Sequence, residues 1–490
     1  MLVPDLLREQ ARAAPDRVAV EVDGVGRMTH AEWEARSNRL ARALVDAGLA
    51  PGDRVGLRFG NEDGLRFLVA YFAIHKAGGV AVPVSARATE PEMAAVLAHC
   101  DARLLLAGRG APSPRVETLG PDDADARASR QSDATFQVPR SGDDLADILY
   151  TSGTTGTPKG VACAHGNVVF KGSSTMDALF RGATFLHAIP LHTFAGTHAM
   201  TLIPLRAGMT SLVQPKFDAR RFLELIAERG VNLTYAVPAM LLLMLDEPRA
   251  AQGGFDSLRL LMYGAAPMPP HAVRRLGEVF PSAMRLNLYG LTEGGAAVCS
   301  LSPDQAVRRP DSIGKPVPPA EARIVDEGGE PVAAGVEGEI ELRAPVRPRR
   351  YYRDDAATRE VWRPGGWLRT GDIGRLDDEG YLYLVDRKKD LVIRGGLNIA
   401  APEVEGVLLQ HPAVREAAIV GVAHPVLGED TKAFVVLRQG AAITPEALEA
   451  HCRKFLADYK VPRHYAFRDA LPRNAMGKVL KRELRAETGS

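Results

Sequence analysis

The residues best suited to chemistry lie between Tyr150 and Gly160, in the sequence YTSGTTGTPKG. Glycines in this stretch let backbone N–H groups turn towards a ligand, hydroxyl groups donate further hydrogen bonds, and Lys159 adds a mobile positive charge. The apolar run LADILY precedes the loop and is typical of a strand. This combination predicts a phosphate cradle, formed by Thr151, Ser152, Gly153, Thr154, Thr155, Gly156 and Lys159.

The loop departs from the two commonest nucleotide-binding patterns. In the Walker A pattern, G-x-x-x-x-G-K-[ST], a Ser or Thr follows the lysine, whereas Gly160 follows Lys159 here. No G-x-G-x-x-G sequence follows a strand-like run, so a dinucleotide-binding fold is not supported. Composition alone leaves a flexible surface loop as the alternative interpretation.

Four further motifs accompany the loop. They are NLYGLTE (287–293), WLRTGD (367–372), DRKKD (386–390) and LPRNAMGK (471–478). Together the five motifs span nearly the whole chain, and in type and order they resemble those of the adenylate-forming (ANL) superfamily. That superfamily comprises acyl-CoA synthetases, nonribosomal peptide adenylation domains and luciferases.

The resemblance implies a ligase that works in two half-reactions. A carboxylate attacks the α-phosphate of MgATP to give an acyl-adenylate and pyrophosphate, and the thiol of CoA then displaces AMP. The implied cofactors are ATP, Mg²⁺ and coenzyme A, and a stand-alone acyl-CoA synthetase is the leading interpretation. The alternatives are a ligase that loads a carrier protein, a luciferase-like homologue with other adenylate chemistry, and an inactive nucleotide-binding regulator.

The resemblance also implies a role for each motif residue. Thr292 can donate to the α-phosphate, and the carboxylate of Glu293 is a hard ligand suited to Mg²⁺. Asp372, which we place on a turn after a strand, can accept hydrogen bonds from both ribose hydroxyls. Arg387 is expected to reach the ribose or a phosphate, and Lys478 to stabilise charge during adenylation. The remaining nucleotide-binding positions are Gly264, Ala265, Ala266, Asn287, Leu288, Tyr289 and Gly290.

The same resemblance implies two domains joined by a hinge at Lys389. Rotation about this residue would withdraw Lys478 and present the loop 394–398 for thioester formation. Glycines in that loop would let a pantetheine arm pass close to the backbone. The expected divisions are an ATP- and acid-binding domain (1–386), the hinge (387–390) and a small mobile catalytic-lysine domain (391–490).

By family position, the acid is expected among residues 190–196, 235–239, 264–266 and 288–291. Residues 185–208 contain no acidic side chain, so an α-amino acid is disfavoured because its buried ammonium would lack a counter-charge. An apolar slot for an aryl or short-to-medium aliphatic acid is predicted, and nearby histidines leave open an acid with a second polar group. The expected pocket residues are His192, Thr193, Tyr235, Val237, Gly264 and Leu291.

One position departs from the family pattern. Many acyl-CoA synthetases read P-x-aromatic-H-x-x-G, whereas residues 190–196 read PLHTFAG, with His192 one place early. The gating role of this histidine is therefore open. His187, His192 and His198 lack the spacing of metal ligands and are expected to have packing or surface roles.

An α/β fold must position these residues. Between about residues 63 and 290, short apolar strands alternate with helical patterns, as in parallel α/β layers. After residue 313, alternating strand-like segments predict a β-rich subdomain. A compact α+β pattern of about 100 residues follows the hinge, which is enough for a small domain. Residues 107–142 are rich in Gly, Pro, Ser, Asp and Arg and are expected to form a variable surface connection.

Composition and charge exclude several other classes. The 490 residues include 61 Lys and Arg and 60 Asp and Glu, a net charge of +1, so generic binding to nucleic acid or an anionic membrane is not expected. The longest apolar run, 235–245, is shorter than a membrane span, and the N-terminus lacks the apolar core of a secretory signal. The four scattered cysteines are typical of core residues in a reducing compartment. We therefore expect a cytoplasmic enzyme.

The expected partners are small molecules. A carboxylic acid is one, and the other is CoA or a carrier protein supplied in trans. We infer an acceptor in trans because only twelve residues follow Lys478, too few for a fused carrier domain. The sequence leaves both a monomer and a homodimer open.

Overall fold

The computed structural model describes the chain except residues 109–115, 152–158, 170–173, 267, 269, 310, 345–347, 388–389, 395–396, 425–426, 474–478 and 489–490. Its strands are β1 (Val18–Val22), β2 (Gly26–Thr29), β3 (Arg54–Arg58), β4 (Val80–Pro83), β5 (Ala102–Ala107), β6 (Glu117–Leu119), β7 (Leu145–Thr151), β8 (Lys159–Ala164), β9 (Thr184–His187), β10 (Thr210–Val213), β11 (Leu233–Ala236), β12 (Leu260–Gly264), β13 (Met284–Leu291), β14 (Ala296–Leu301), β15 (Ser312–Pro316), β16 (Glu321–Val325), β17 (Gly338–Arg343), β18 (Arg350–Tyr351), β19 (Trp362–Arg363), β20 (Trp367–Leu376), β21 (Leu382–Arg387), β22 (Val392–Arg394), β23 (Leu397–Ile399), β24 (Val414–His424), β25 (Gly428–Leu437) and β26 (His464–Arg468).

The helices alternate with these strands. The α-helices are α1 (Val3–Ala13), α2 (His30–Asp46), α3 (Gly64–Lys76), α4 (Glu90–His99), α5 (Pro121–Ala128), α6 (His165–Val168), α7 (Ser174–Leu179), α8 (Ile203–Ala207), α9 (Ala219–Glu228), α10 (Pro238–Asp246), α11 (Pro270–Val279), α12 (Pro303–Arg308), α13 (Asp355–Val361), α14 (Ala401–Leu408), α15 (Pro445–Cys452) and α16 (Lys481–Ala486). A π-helical segment, Ala195–Leu202, precedes α8, and short 3₁₀ turns are at Asn61–Asp63, Pro248–Gln252 and Asp458–Lys460.

One sheet supports the phosphate loop. Its strand order is β18-β8-β7-β4-β3-β5-β6, and its neighbours are parallel from β7 to β6, whereas β7 and β8 form an antiparallel pair. The interpretation of 107–142 as a surface connection was wrong in part. Strand β6 pairs with β5 and buries Leu119, and α5 packs Ala124 and Ala128 against the core. The buried face of α5 is made of alanines, so the scarcity of large apolar residues in this segment gave no indication of a packed helix.

In a second, larger sheet, the neighbouring strands are parallel in one half and antiparallel in the other. Among the described residues its order is β2-β1-β10-β9-β11-β12-β13-β14-β15-β21-β20-β17-β16, with β19 beside β20. From β1 through β10, β9, β11 and β12 to β13, each strand is parallel to the next. From β13 onwards the neighbouring strands pair antiparallel. The predicted parallel layers and β-rich subdomain are both confirmed.

The C-terminal residues have a sheet and cores of their own. Strands β23, β22, β25 and β24 lie in that order with β26 beside β25. Two clusters of buried apolar residues, drawn only from residues 392–484, cover the faces of this sheet. The expected α+β pattern is therefore confirmed, whereas the hinge at Lys389 stays a prediction because residues 388–389 lie outside the described part.

Two further expectations concern the whole chain. All four cysteines are buried and carry free thiols, as expected of core residues. In the part of the chain that the structure describes, no helix has the length and apolarity needed to cross a bilayer.

Candidate active site

A cleft opens where strands of both large sheets end. The segments that follow β3, β4, β9, β10 and β11 line a cavity of about 1000 Å³. Ligands of parallel α/β sheets bind at this carboxyl edge, because the loops that leave the strands converge there. Leu409, Val414 and Arg415 of the C-terminal residues line another side. Three parts of the chain therefore enclose the cavity.

The predicted phosphate loop connects β7 to β8. Thr151 ends β7 and pairs with Lys159, which begins β8, so the two ends of the loop lie side by side. The ammonium of Lys159 lies 4.9 Å from the centre of the Tyr351 ring, a cation–π contact. The other predicted members of the cradle, Ser152, Gly153, Thr154, Thr155 and Gly156, lie outside the described residues.

Tyr351 also joins this loop to the turn that carries Thr292 and Glu293. The Tyr351 hydroxyl donates to Glu293 Oε1 at 2.9 Å. Burial and the neighbouring Glu293 raise the pKa of Tyr351, so the hydroxyl remains a donor at neutral pH. Arg349 Nη1 donates to the Thr292 carbonyl oxygen at 3.0 Å. Residues 349–351, beside β8, thus connect two predicted motifs.

Asp372 lies within β20, so our expectation of a turn was wrong. The strand continues because it pairs with β21 beyond Asp372, and the register shifts only after Ile373. Asp372 is 3% exposed and accepts a hydrogen bond from the Tyr289 hydroxyl at 2.5 Å. Burial, and next the charge of Asp372, raise the pKa of Tyr289. Arg387 is the residue opposite Asp372 in the ladder, so three predicted nucleotide residues lie together.

The other predicted nucleotide positions lie on or after β12 and β13. A Cβ at Gly264 would lie 2.1 Å from the carbonyl oxygen of Leu288, so only glycine allows the two strands to approach. Ala265 has a φ of 69°, a left-handed conformation that is uncommon for alanine and is often found at functional turns. Ala266 follows in the same exposed turn, and Asn287 and Gly290 lie on β13 with Leu288.

Two of the predicted acid-pocket residues line the cavity, namely His192 and Val237. Thr193 instead turns back on its own segment, because its hydroxyl donates to the Pro190 carbonyl at 2.8 Å and accepts from Gly196 N at 3.1 Å. Tyr235 is buried on β11. Tyr235, Thr193, Gly264 and Leu291 are not among the described residues that line this cavity.

Unpaired positive charge also lines the cavity. Burial, and next the charge of Arg87, lower the pKa of His192 to about 4, so His192 is neutral at pH 7. Asp246 forms an ion pair with Arg438 at 3.0 Å, and Glu416 is paired with Arg473. Within the described residues, three cations and one carboxylate of the lining have no ion pair: Arg87, Lys216, Arg275 and Glu62.

A buried polar cluster lies on β7, close in sequence to the phosphate loop. The carboxylate of Asp147 accepts hydrogen bonds from Tyr71 at 3.0 Å, His75 at 3.2 Å and His198 at 2.9 Å. Burial alone would raise the pKa of Asp147, but His75 and His198 outweigh it and lower that pKa. His198 is therefore a buried hydrogen-bonding partner of Asp147, and His187 is also buried. No group of potential metal ligands occurs among the residues described.

Lys478 and Lys389 lie outside the described residues. Arg473 and Val479 form a β-bridge on either side of the Lys478 segment, and Arg473 lines the cavity. The base of the segment that carries the predicted catalytic lysine is therefore at the cleft.

The sequence motifs do not indicate four residues that the structure places at or beside the site, namely Arg349, Tyr351, Arg87 and Lys216. Arg87 and Lys216 could have been found, because each follows the carboxyl end of a parallel strand, where ligands bind in such sheets. Arg349 and Tyr351 lie in the sequence RRYYR, whose partners are more than fifty residues away in the chain. Nothing in the local pattern indicates those contacts.

Known proteins match the chain over nearly its whole length. A family model described as AMP-binding enzyme matches residues 7–352, and one described as AMP-binding enzyme C-terminal domain matches residues 403–478. The 2-succinylbenzoate–CoA ligase of Geobacillus kaustophilus is 35% identical over 493 residues, with 99% of this chain and 97% of that ligase covered. A long-chain-fatty-acid–CoA ligase of Mycobacterium tuberculosis is 34% identical over 504 residues, with 98% and 97% covered. The solved structure of o-succinylbenzoate CoA synthetase from Bacillus subtilis with the acyl-adenylate OSB-AMP has 30% identity, a TM-score of 0.88 and 98% of each chain covered.

Proposed function

The chain belongs to the family of AMP-binding enzymes and is an AMP-forming acid–thiol ligase, and we propose that its two half-reactions depend on different parts of the molecule. The enzyme activates a carboxylic acid with ATP and transfers the acyl group to CoA. The observation that carries the proposal is the chain of contacts from Lys159 through Tyr351 to Glu293. It joins a phosphate cradle to a carboxylate within the large N-terminal part.

The triphosphate binds between the β7–β8 loop and the Thr292–Glu293 turn. Lys159 and Thr151 hold the outer phosphates, and Thr292 donates to the α-phosphate. Glu293 fits Mg²⁺ because Tyr351 donates to its Oε1, which leaves Oε2 for a hard cation. Bound there, Mg²⁺ would neutralise phosphate charge and polarise the phosphoryl oxygens.

The ribose binds to Asp372. A carboxylate can accept from both vicinal hydroxyls, and the Tyr289 hydroxyl fixes its orientation from one side. Arg387, opposite Asp372 in the ladder, supplies positive charge to the nucleotide. The turn at Ala265 and Ala266 contributes backbone groups to the same nucleotide.

Lys478 completes adenylation from the C-terminal domain. Its ammonium stabilises the charge that develops as the acid carboxylate attacks the α-phosphate. The domain (391–490) then turns about the 387–390 hinge, which removes Lys478 and brings loop 394–398 to the acyl-adenylate. The separate sheet and cores of the C-terminal residues support this division.

The acid has an apolar body. Ile189, Val237 and Met240 line the cavity, and burial of an aryl or alkyl group against them is favourable. The named substrates of the two ligases, 2-succinylbenzoate and a long-chain fatty acid, share such a body.

The acceptor's phosphates bind at the unpaired cations. Arg87, Lys216 and Arg275 line the cavity without an ion pair among the residues described, against one such carboxylate, Glu62. This excess of positive charge favours CoA, whose nucleotide carries several phosphates, over a carrier protein, whose pantetheine arm carries one.

An acid panel tests the function. ATP–pyrophosphate exchange is measured with benzoate, cinnamate, hexanoate, decanoate and phenylalanine, and the thioester product is identified by mass with CoA or a carrier protein. We expect exchange with an aryl or aliphatic acid but not with phenylalanine, and acyl-CoA as the product. No exchange with any acid would count against the function.

For the acceptor site, Arg87→Ala should raise KM for CoA and leave the exchange rate unchanged, with the exposed Arg220→Ala as the matched control.

A further inference from the structure

Arg349 is a buried cation beside the Thr292–Glu293 turn. The residue is 2% exposed, and its Nη1 donates to the Thr292 carbonyl oxygen at 3.0 Å. Its own carbonyl oxygen accepts from Trp362 Nε1 at 2.7 Å. Backbone and side chain are therefore both held, and the side chain is tied to the turn.

Glycine at position 295 makes room for this guanidinium. Gly295 has a φ of 72°, and a Cβ there would lie 2.7 Å from Arg349 Nε, so any other residue would displace the guanidinium. The guanidinium carbon also lies 5.1 Å from the centre of the Phe194 ring. Arg349 thus contacts both the turn and the acid-pocket segment.

Such a burial is costly for stability. A guanidinium removed from water loses solvation that only hydrogen bonds and opposite charge can replace. Arg349 Nε has no hydrogen-bond partner, and no carboxylate is paired with the guanidinium, among the described residues. The burial of a cation at this cost, beside the Thr292–Glu293 turn, points to a role in the site.

Phe194 extends the contact towards the phosphate-loop strand. Its ring meets the His198 ring edge-on at a centroid distance of 5.4 Å. His198 Nε2 in turn lies 2.9 Å from Asp147 Oδ2 on β7. Contacts therefore run without a break from β7 through the acid-pocket segment to Arg349 and Thr292.

We propose that Arg349 is a positioning residue for adenylation, which links the predicted acid-binding segment 190–196, through Phe194, to the placement of Thr292 and Glu293. The inference rests on the proposed function, because it assigns those two residues to the phosphate. Phe194 packs against Arg349 and is two residues from His192, which lines the cavity, so an acid that orders this segment also orders the turn. Thioester formation from an existing acyl-adenylate does not need this alignment.

Two variants test the link, Arg349→Met and Arg349→Lys. ATP–pyrophosphate exchange with the best acid of the panel is compared with acyl-CoA formation from the matching synthetic acyl-adenylate. We expect Arg349→Met to lower kcat for exchange by about 100-fold, since misplacement of reacting groups by about 1 Å has an effect of that size. Acyl-CoA formation should stay within about threefold, and Arg349→Lys should recover part of the exchange.

A matched control separates position from stability. Arg285 also donates to backbone carbonyls, those of Phe280 and Ala283, but it lies at the far end of β13 from Thr292. Arg285→Met should leave the ratio of the two half-reactions unchanged. Should Arg349→Met not fold, Phe194→Leu serves in its place, with a higher KM for the acid and a lower exchange kcat expected together.

Several outcomes overturn the inference. Equal loss of both half-reactions in Arg349→Met would assign Arg349 to folding alone, and unchanged exchange in both Arg349 variants would remove it from the site. A wild-type chain without exchange on any acid would overturn the proposed function and this inference together, whereas an active wild type with unaffected variants overturns the inference only.

Discussion

Predicted active-site residues are held firmly within the large N-terminal part, whereas a described contact between this part and the C-terminal part is weak. In the N-terminal part, Glu293 and Asp372 are fixed by buried or half-buried tyrosines at 2.9 and 2.5 Å. Between the two parts, the described ion pair Arg438–Asp246 joins side chains that are 45% and 51% exposed, and exposed pairs contribute about 0–1 kcal/mol. The difference supports the proposal that the N-terminal part is preassembled and that the C-terminal part moves relative to it.

The largest expected effect is on the lysine that the C-terminal part supplies. Lys478→Ala should lower ATP–pyrophosphate exchange by about 100- to 1000-fold, because a preorganised charge at the reacting phosphate is removed. Acyl-CoA formation from synthetic acyl-adenylate should remain within about threefold of wild type. Lys481→Ala, which removes a lysine paired with Glu405 at 2.8 Å in the same part, is the control. Equal loss of both half-reactions would contradict the division.

The second prediction concerns acid stability of the N-terminal part. Burial, followed by the charge of His75, lowers the pKa of His165 to about 3, and burial lowers that of His187 to about 4. The unfolded chain protonates these rings near pH 6.5, so the free energy of unfolding falls as pH drops from 6.5 towards 4. Each ring contributes about 1.4 kcal/mol per pH unit.

His187→Met removes one of these rings. The free energy of unfolding is measured with denaturant at pH 7 and at pH 5. Its decrease between the two pH values should be smaller in His187→Met than in wild type by about 2 kcal/mol, or about 30-fold in the unfolding constant. The comparison between two pH values within one variant cancels the packing change. An identical decrease in both proteins would rule out a neutral His187.

The third prediction concerns the hinge. Lys389→Pro fixes φ and removes a backbone donor, so rotation of the C-terminal domain should slow. We expect acyl-CoA formation from acyl-adenylate to fall about tenfold or more while exchange is spared, the reverse of Lys478→Ala. Lys389→Ala, which keeps backbone freedom, should leave both rates near wild type. Parallel loss in Lys389→Pro would argue against a hinge.

The fourth prediction tests preassembly at the ribose. Tyr289→Phe removes the hydroxyl that donates to Asp372 but keeps the ring. The loss of a hydrogen bond to a charged group, about 1.5 kcal/mol, should raise KM for ATP by about tenfold and leave KM for CoA unchanged. Steady-state kinetics with each substrate varied measures both, and an unchanged KM for ATP would separate Tyr289 from nucleotide binding.

The smallest expected effect is at the contact between the two parts. Arg438→Ala removes the exposed ion pair with Asp246, and both half-reactions should stay within about twofold, in keeping with the weakness of exposed pairs. A change above tenfold in either rate would mean that this pair holds the two parts in one arrangement.

The sequence predicted the parts of the site that local motifs carry. The motifs predict nucleotide roles for Tyr289, Asp372 and Arg387. The pairing of β20 with β21 places Arg387 opposite Asp372, and the Tyr289 hydroxyl on β13 donates to Asp372. The predicted turn at Asp372 was wrong, because strand pairing with β21 and not local turn propensity determines the backbone conformation there. The helix α5 was missed since alanines rather than large apolar residues pack it.

Contacts between distant segments could not be predicted in this way. Arg349 reaches Thr292, 57 residues earlier in the chain, and Asp147 gathers Tyr71, His75 and His198 from two separate helical segments. Each of these side chains is unremarkable in its own sequence window. Only the packing of β18 against β8, and of α3 against β7, gives them partners.

The proposed function requires that the enzyme adenylates the acid first and that CoA then attacks the acyl-adenylate. A single-turnover quench with ATP labelled at the α-phosphate, the best acid of the panel and Mg²⁺ tests it most directly. Without CoA, we predict that label accumulates in acyl-adenylate as pyrophosphate is released, and that added CoA converts this label to AMP with formation of acyl-CoA. Label in ADP, or acyl-CoA formed with no acyl-adenylate before it, would contradict the account.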